Sequence, residues 1–242
     1  DLKSIGINFD HYVSEKSIHE KGLLSKIMKI LKDSNVLYEG VLEKPVGKNE
    51  IDWRPSKQIL FRSSKYGDKS DRVVIKNNGD YTYFASDIAY HYDKACRKYD
   101  EIINIWGADH AGYVDRVKAS LLALGFKNTT FTVKLCQIVN LIDKKKVIKM
   151  SKRQGNFVLV SEIVPKIGQD ALRIFMLTRK NEAHLDFDLE KCLRENNENP
   201  SFYIQYAYAR ISSLKKIANK KSMNLDEKNI KYKDKLLSSP EI

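Results

Sequence analysis

The spacing of apolar residues in the first 34 positions predicts a short strand followed by a helix. Ile5, Gly6 and Ile7 form a small run that is typical of a strand. Apolar residues then recur at the spacing of one helix face, at Leu23, Leu24, Ile27, Ile30 and Leu31. Residues 1–35 are therefore predicted to form a strand–helix pair.

Residues 36–85 have a different pattern, in which short apolar runs alternate with turn signals. Strands are predicted at 36–41, 58–62, 73–76 and 81–84. The turn Asn77-Asn78-Gly79-Asp80 favours a hairpin between the last two of these strands. We interpret this part of the chain as a small β-rich insertion.

Helical and strand patterns alternate between residues 86 and 142. Ser86 is a candidate helix cap, and Ile102–Trp106 is an almost wholly apolar run of the kind buried on both faces of a parallel sheet. A helical pattern covers residues 114–124, and a strand is predicted at Lys134–Ile142. This order predicts an α/β fold containing part of a doubly wound parallel sheet.

Beyond residue 150 the chain is predicted to be helical. Asp170–Arg179 has apolar residues in helical register and basic residues at its end, where the helix dipole favours them. Asn199-Pro200 joins an N-cap residue to Pro at the first helical position, which predicts the start of another helix. Residues 215–235 are rich in Lys and poor in apolar side chains, which indicates a mobile basic loop.

The amino-acid composition indicates a polyanionic partner. The 242 residues carry a formal charge of +12, which suits nucleic acid, a nucleotide or an anionic membrane surface. No apolar run reaches the roughly 20 residues that span a bilayer. Three separated cysteines favour a reducing cytoplasm over disulfides or a zinc site. The chain lacks an initiator Met, and we expect it to be a piece of a longer protein.

The strongest basic cluster lies at residues 143–153, which contain six basic residues and one Asp. Its core is Lys149-Met150-Ser151-Lys152-Arg153. Mobile Lys ammonium groups and a planar Arg guanidinium can follow the phosphates of a triphosphate through a reaction. On charge alone, a solvated loop or a nonspecific nucleic-acid patch is the favoured explanation of the cluster.

Two further groups of residues are candidates for ligand binding. Gly107-Ala108-Asp109-His110 follows a predicted strand, and ligands of open α/β sheets bind beyond the carboxyl ends of strands. Tyr83 and Asp87 could bind a guanidinium through the Tyr ring and the carboxylate. The alternatives are an ordinary capped turn for the first group and a first-turn Asp that complements the helix dipole for the second.

Taken together, these motifs resemble class I aminoacyl-tRNA synthetases, and most closely the bacterial type of arginyl-tRNA synthetase. Lys149–Arg153 is similar to the KMSKS signature, and 83–91 to the family's Tyr-x-x-x-Asp-Ile-Ala segment. Residues 105–110 and Asp170-Ala171-Leu172-Arg173 follow in the family order. The resemblance implies the end of the first Rossmann half at 1–35, an insertion at 36–85, the second Rossmann half at 86–150, the KMSKS loop and stem-contact region at 149–195, and the start of the anticodon-binding bundle at 196–242.

The resemblance also implies ATP-dependent activation of L-arginine and its transfer to tRNA(Arg), in a cytoplasmic monomer without membrane contact. Mg²⁺ would accompany ATP without a metal site on the protein. The implied residues are Tyr83 and Asp87 for arginine; Gly107, Asp109, His110, Met150 and Arg153 for ATP; Lys149, Ser151 and Lys152 for catalysis by stabilising the pyrophosphate; and Tyr203, Tyr206 and Arg210 for tRNA.

One family motif is missing from the sequence. No His-x-Gly-His string occurs in it, so we expect these 242 residues alone to be inactive. Two alternatives remain open. Another class I synthetase would share the same half-domain, although the enzymes for cysteine need a zinc site. A non-catalytic RNA-binding module would bind with a steep salt dependence and no nucleotide preference.

Overall fold

The computed structural model describes residues 2–20, 22–42, 55–148, 150, 155 and 157–221. These residues form two compact units. The central unit comprises Phe9–Ile138 with Lys180–His184. The flanking unit comprises the described residues of Asp1–Asn8, Val139–Arg179 and Leu185–Ile242. The candidate site residues before position 138 therefore lie in the central unit, and the described ones after it lie in the flanking unit.

The central unit begins with two helices and a small antiparallel sheet. Helix α1 is Glu15–Glu20 and α2 is Leu23–Asp33, and strands β1 (Leu37–Gly40), β2 (Gln58–Phe61) and β3 (Arg72–Ile75) pair in the order β1-β2-β3. The apolar spacing in α2 correctly predicted this helix, because Leu24, Ile27, Met28 and Leu31 are all buried. The first three strands of the predicted β-rich segment are also present.

A parallel pair of strands follows in the same unit. Helix α3 is Tyr83–Cys96, β4 is Glu101–Gly107, α4 is Val114–Ala123 and β5 is Thr130–Cys136. Strands β4 and β5 are parallel, from Glu101 opposite Thr130 to Gly107 opposite Cys136. Helix α4 therefore forms the crossover of a β–α–β unit, as the alternating pattern predicted. Helix α3 packs on α2 and α4 around Phe61, Ile88 and Val117.

Three details of this unit differ from the prediction. No strand forms at 81–84: Tyr81 makes only an isolated bridge to Ile75, and α3 begins at Tyr83. The cap is Thr82, whose hydroxyl oxygen accepts a hydrogen bond from the backbone NH of Ala85, and Ser86 lies inside the helix. Strand β4 was predicted to be buried on both faces of the sheet. In the described structure one face is exposed, because Ile103 and Ile105 are 55% and 73% exposed.

The flanking unit contains a second pair of parallel strands. Strands β6 (Val139–Asp143), β7 (Lys146–Val147) and β8 (Leu185–Asp188) form a sheet in the order β7-β6-β8, in which β6 is parallel to β8 and antiparallel to β7. Helices α5 (Val160–Ile167), α6 (Gln169–Leu177), α7 (Leu189–Cys192) and α8 (Pro200–Lys220) complete the unit. Phe175 and Phe187 lie in its core.

Three sequence predictions are corrected in this unit. A short 3₁₀ helix at Leu2–Ile5 replaces the predicted strand around Ile5. The strand predicted at 134–142 is two strands, β5 and β6, which belong to different units. Helix α8 extends to Lys220, so the start of the predicted basic loop is helical, and residues 222–235 lie outside the described part. Among the helices of the described residues, none is long and apolar enough to cross a bilayer.

Candidate functional site

The Tyr83–Asp87 pair lies on one face of α3. Because the helix begins at Tyr83, Asp87 lies in its second turn. The sequence had predicted Asp87 in the first turn. Residues four apart are neighbours on a helix surface, so both side chains project to the same side. Tyr83 is 82% exposed, whereas Asp87 is partly buried. The helix-dipole explanation for Asp87 loses support, since the effect is confined to the first turn.

One pocket brings the two predicted groups of residues together. Tyr83 and Asp87 of α3 and Gly107 and His110 at the end of β4 line a cavity of 480 Å³. Tyr83 and Asp87 also line an adjacent cavity of 330 Å³, which includes Glu15. Asp109 does not line either of these cavities, and its side chain is largely exposed.

The carboxylate of Asp87 has no hydrogen-bond or ion-pair partner among the described residues. Burial raises its pKa above the ordinary value, and the negative charge of Glu15 raises it further. The positive charges of His110, Lys94 and Arg116 oppose this shift more weakly. A partly desolvated carboxylate of this kind suits a cationic ligand, which would stabilise the ionised form.

Gly107 lies at the turn after β4. Gly107 closes the strand in extended conformation, and a Cβ atom at this position would displace the carboxylate at the end of the exposed Asp109 side chain. His110 lies in the following 3₁₀ helix, Ala108–Tyr113, with its Nε2 atom 3.6 Å from Asp109 and its ring 5.7 Å from that of Tyr113. The helix predicted directly after this turn thus begins with a 3₁₀ segment, and α4 starts at Val114.

The core of the basic cluster, Lys149–Arg153, lies mostly outside the described residues. Lys149, Ser151, Lys152 and Arg153 are among the residues that the structure does not describe, and Met150 is described as an exposed residue of the flanking unit. The roles predicted for these five side chains stay predictions.

The three residues predicted to contact tRNA lie along α8 in the flanking unit. Tyr203 and Tyr206 are exposed, and the Tyr206 hydroxyl accepts a 3.2 Å hydrogen bond from the guanidinium of Arg210. Phe202 stacks on Tyr206 with ring centroids 6.5 Å apart. Asn199 caps the helix as its sequence predicted, because its side-chain oxygen accepts hydrogen bonds from the NH groups of Ser201 and Phe202.

Sequence reasoning missed three residues of the 480 Å³ cavity that share the α3 face. Tyr90, His91 and Lys94 line it together with Asp87. Their spacing from Tyr83, at seven, eight and eleven residues, is the signal that could have identified them once the helix start was known. No group of His, Cys, Asp or Glu in the described residues could hold a metal ion.

Comparisons with known proteins identify homologues. The chain is 46% identical over 234 residues to the arginine–tRNA ligase of Roseobacter denitrificans, which is 97% of this chain and 40% of that protein. A solved Campylobacter jejuni structure, assigned as an arginyl-tRNA synthetase, is 38% identical with a TM-score of 0.72 over 93% of this chain and 45% of that one. Thermus thermophilus arginyl-tRNA synthetase shares the fold, with 19% identity and a TM-score of 0.68 over 90% and 44% of the two chains. No family model matches the sequence.

Proposed function

The chain is a homologue of arginine–tRNA ligases over nearly its whole length and spans about two fifths of theirs, and we propose that its complete gene product joins L-arginine to tRNA(Arg) using ATP. The observation that carries the proposal is the 480 Å³ cavity, where Tyr83 and Asp87 face the Gly107–His110 turn at the carboxyl end of a parallel strand. This is the edge at which α/β sheets bind nucleotides.

In this proposal Asp87 accepts hydrogen bonds from the guanidinium group of arginine, and the Tyr83 ring covers the cation. The absence of any described partner for Asp87 supports this role, because a partly buried carboxylate needs a counter-charge. Gly107 and His110 are assigned to the ATP side of the cavity. Asp109 is assigned to the ribose hydroxyls, from which an Asp after a Rossmann strand can accept hydrogen bonds.

The remaining roles come from the family resemblance. Lys149, Ser151 and Lys152 would stabilise the pyrophosphate as negative charge moves onto it, with Met150 and Arg153 beside ATP. Mg²⁺ would enter with ATP and neutralise its phosphates. No general base is needed, because the carboxylate of arginine is already ionised when it attacks the α-phosphate.

The partners of the flanking unit and the compartment are also part of the proposal. Tyr203, Tyr206 and Arg210 form an exposed face on α8 with aromatic rings and a guanidinium, which suit stacking on RNA bases and contact with phosphate. The three cysteines are free, which suits a reducing compartment. We assign the reaction to the cytoplasm and to a monomer.

Arginine-dependent ATP–pyrophosphate exchange by the complete gene product tests the arginine site. Asp87→Asn is expected to raise the KM for arginine about 30-fold, because about 2 kcal/mol is lost when a desolvated charge pair is broken. The KM for ATP should change by less than about threefold. Asp93→Asn is the matched control, since Asp93 lies on the same helix, pairs with Arg97 and does not line the cavity. An unchanged arginine KM in Asp87→Asn would refute the assigned role.

A second comparison tests the basic cluster. Lys152→Ala should lower the exchange rate about 100-fold, since a donor to developing charge contributes about 3 kcal/mol to the transition state. Lys166→Ala replaces an exposed lysine of α5 and should leave the rate unchanged. Equal rates in the two variants would remove Lys152 from the mechanism. Salt-sensitive RNA binding without any arginine-dependent exchange would favour a non-catalytic module.

A further inference from the structure

A chain of three hydrogen bonds connects β4 to the turn of α3 that carries Asp87. The Lys94 ammonium donates to Oδ1 of Asn104 at 2.9 Å, and Nδ2 of Asn104 lies 2.6 Å from Nε2 of His91. Nδ1 of His91 lies 2.7 Å from the backbone carbonyl oxygen of Asp87. All of these residues belong to the central unit.

The direction of every bond in this chain is fixed by the lysine. An ammonium group can only donate, so the Asn104 atom facing it must be the carbonyl oxygen, and the amide nitrogen must face His91. That nitrogen donates, so Nε2 of His91 accepts and the ring proton is on Nδ1. Nδ1 then donates to the Asp87 carbonyl. One tautomer of His91 satisfies the whole chain.

The surroundings of His91 keep its imidazole uncharged and closely packed. His91 and Asn104 are 3% and 4% exposed. The rings of Tyr90, Trp106 and Phe131 lie 5.8, 6.2 and 5.7 Å from the imidazole and meet it edge-on. Burial lowers the pKa of His91 to about 4, against a smaller opposing effect of its bond to Asp87.

Among the residues that the structure describes, few charged groups face this imidazole. On its own helix, the Lys94 ammonium lies over the Tyr90 ring at 4.3 Å, and Asp87 contributes its carbonyl. The β4 neighbours, Asn104 and Trp106, and the β5 neighbour, Phe131, do not titrate. Of the described charged groups, Lys94 is thus the one that acts on His91, and its positive charge disfavours the imidazolium form.

We infer that Lys94, Asn104 and His91 are positioning residues for arginine binding, which hold the Asp87 turn of α3 in register with β4. Asn104 lies three residues before Gly107 on β4, so the hydrogen-bond chain connects the proposed arginine side of the cavity to its ATP side. A misplacement of about 1 Å between reacting groups can cost about 100-fold in rate. The inference rests on the proposed function of the cavity.

Asn104→Asp tests the inference because it keeps the shape of the side chain but removes the donor to Nε2. A carboxylate facing the lone pair of neutral His91 repels it, whereas protonated His91 can donate both to the introduced carboxylate and to the Asp87 carbonyl. In arginine-dependent ATP–pyrophosphate exchange by the complete gene product, the variant should match the unsubstituted protein within about twofold in arginine KM near pH 6, and show a KM about tenfold higher near pH 8. The KM for ATP should not follow this trend.

The ratio of variant to unsubstituted KM at each pH removes the titration of Asp87, which both proteins share. Asn128→Asp adds a carboxylate at an exposed position of the central unit and should give a flat ratio. If Asn104→Asp folds poorly, Lys94→Met is the alternative variant. Lys94 is the half-buried end of the hydrogen-bond chain, and its replacement frees the Asn104 amide to rotate. This variant should raise the arginine KM about threefold at all pH values.

The outcomes separate the two proposals. A ratio for Asn104→Asp that stays constant with pH, or an unchanged arginine KM in Lys94→Met, would overturn the positioning role while leaving the proposed function in place. Absence of arginine-dependent exchange in the unsubstituted protein would overturn the proposed function, and the positioning role with it.

Discussion

The imidazole of His91 donates a 2.7 Å hydrogen bond from Nδ1 to the backbone carbonyl of Asp87, one helical turn earlier on α3. Burial shifts the pKa values of the two residues in opposite directions, upward for Asp87 and downward for His91. Both shifts favour the uncharged side chain. This face of α3 therefore has a low local polarity, in which a charge is costly until a ligand or partner compensates it.

The stability of the fold depends on the ionisation of Asp87. Its pKa is higher in the folded protein than in the unfolded chain, so stability falls as pH rises through the unfolded and then the folded pKa. The ionised carboxylate is therefore destabilising at neutral pH, and Asp87→Asn should raise the thermal midpoint at pH 7 by about 2 °C. The gain should disappear near pH 3, where the carboxyl group is protonated in both states.

Calorimetry at the two pH values checks this expectation. Asp93→Asn, which removes the exposed ion pair with Arg97, should give no gain at either pH. A midpoint for Asp87→Asn below that of the unsubstituted protein at pH 7 would mean that Asp87 stabilises the fold and is not held ready for a ligand.

The buried imidazole of His91 makes the fold sensitive to acid. The pKa of His91 is about 4 in the folded protein and near 6.5 in the unfolded chain, so the unfolded state takes up a proton first as pH falls. The stability contributed by neutral His91 is complete above pH 6.5 and is lost between pH 6.5 and 4, by up to about 3 kcal/mol. His91→Gln should have a lower stability near pH 7 and a flatter pH dependence in this range.

Urea denaturation at half-unit pH intervals measures the two slopes. His184→Gln is a control on the same unit, since this histidine is exposed and should leave the slope unchanged. Parallel curves for the unsubstituted protein and His91→Gln would show that other groups cause the acid sensitivity.

The sequence identified local elements better than the contacts between them. The helical spacing in α2 and the Asn199-Pro200 start of α8 predicted both helices, because each signal depends on neighbouring residues alone. Tyr83 was wrongly assigned to a strand because the β propensity of a Tyr residue is a local signal. The start of the helix depends instead on the Thr82 cap, whose hydroxyl donates to the Val73 carbonyl of β3.

The candidate site follows the same division. The residue types at 83, 87, 107 and 110 were visible in the sequence, but the shared cavity depends on how α3 packs beside β4. Lys94 and Asn104 gave no local signal, since their bond joins a helix to a strand. Long-range pairings of this kind leave no periodicity to detect.

Burial distinguishes the reactivity of the Cys192 thiol from that of Cys96. Burial, with a smaller effect of Asp188, raises the pKa of Cys192 to about 12, so its reactive thiolate is scarce at neutral pH. Cys96 is exposed. A disulfide reagent at pH 7.5 should modify Cys96 at least about 100-fold faster than Cys192, and unfolding should abolish the difference. Mass spectrometry of peptides from timed samples checks the order, and early labelling of Cys192 would contradict its burial.

The side chain of Asn199 stabilises the start of α8. Oδ1 of Asn199 accepts hydrogen bonds from the NH groups of Ser201 and Phe202, and Nδ2 donates to the carbonyls of Cys192 and Arg194 at 2.9 and 2.8 Å. Asn199→Ala removes all four bonds at a buried position and should cost about 3 kcal/mol in the free energy of unfolding.

The matched variant for this measurement is Asn196→Ala, three residues earlier. Asn196 is exposed and accepts one hydrogen bond from the NH of Glu198, so its loss should cost about 0.5 kcal/mol. Urea denaturation followed by circular dichroism measures both. Because Asn199 also joins the end of α7 to the start of α8, its variant should lose helical signal at lower urea than Asn196→Ala. Equal midpoints would mean that Pro200 alone starts the helix and that the four bonds contribute nothing net.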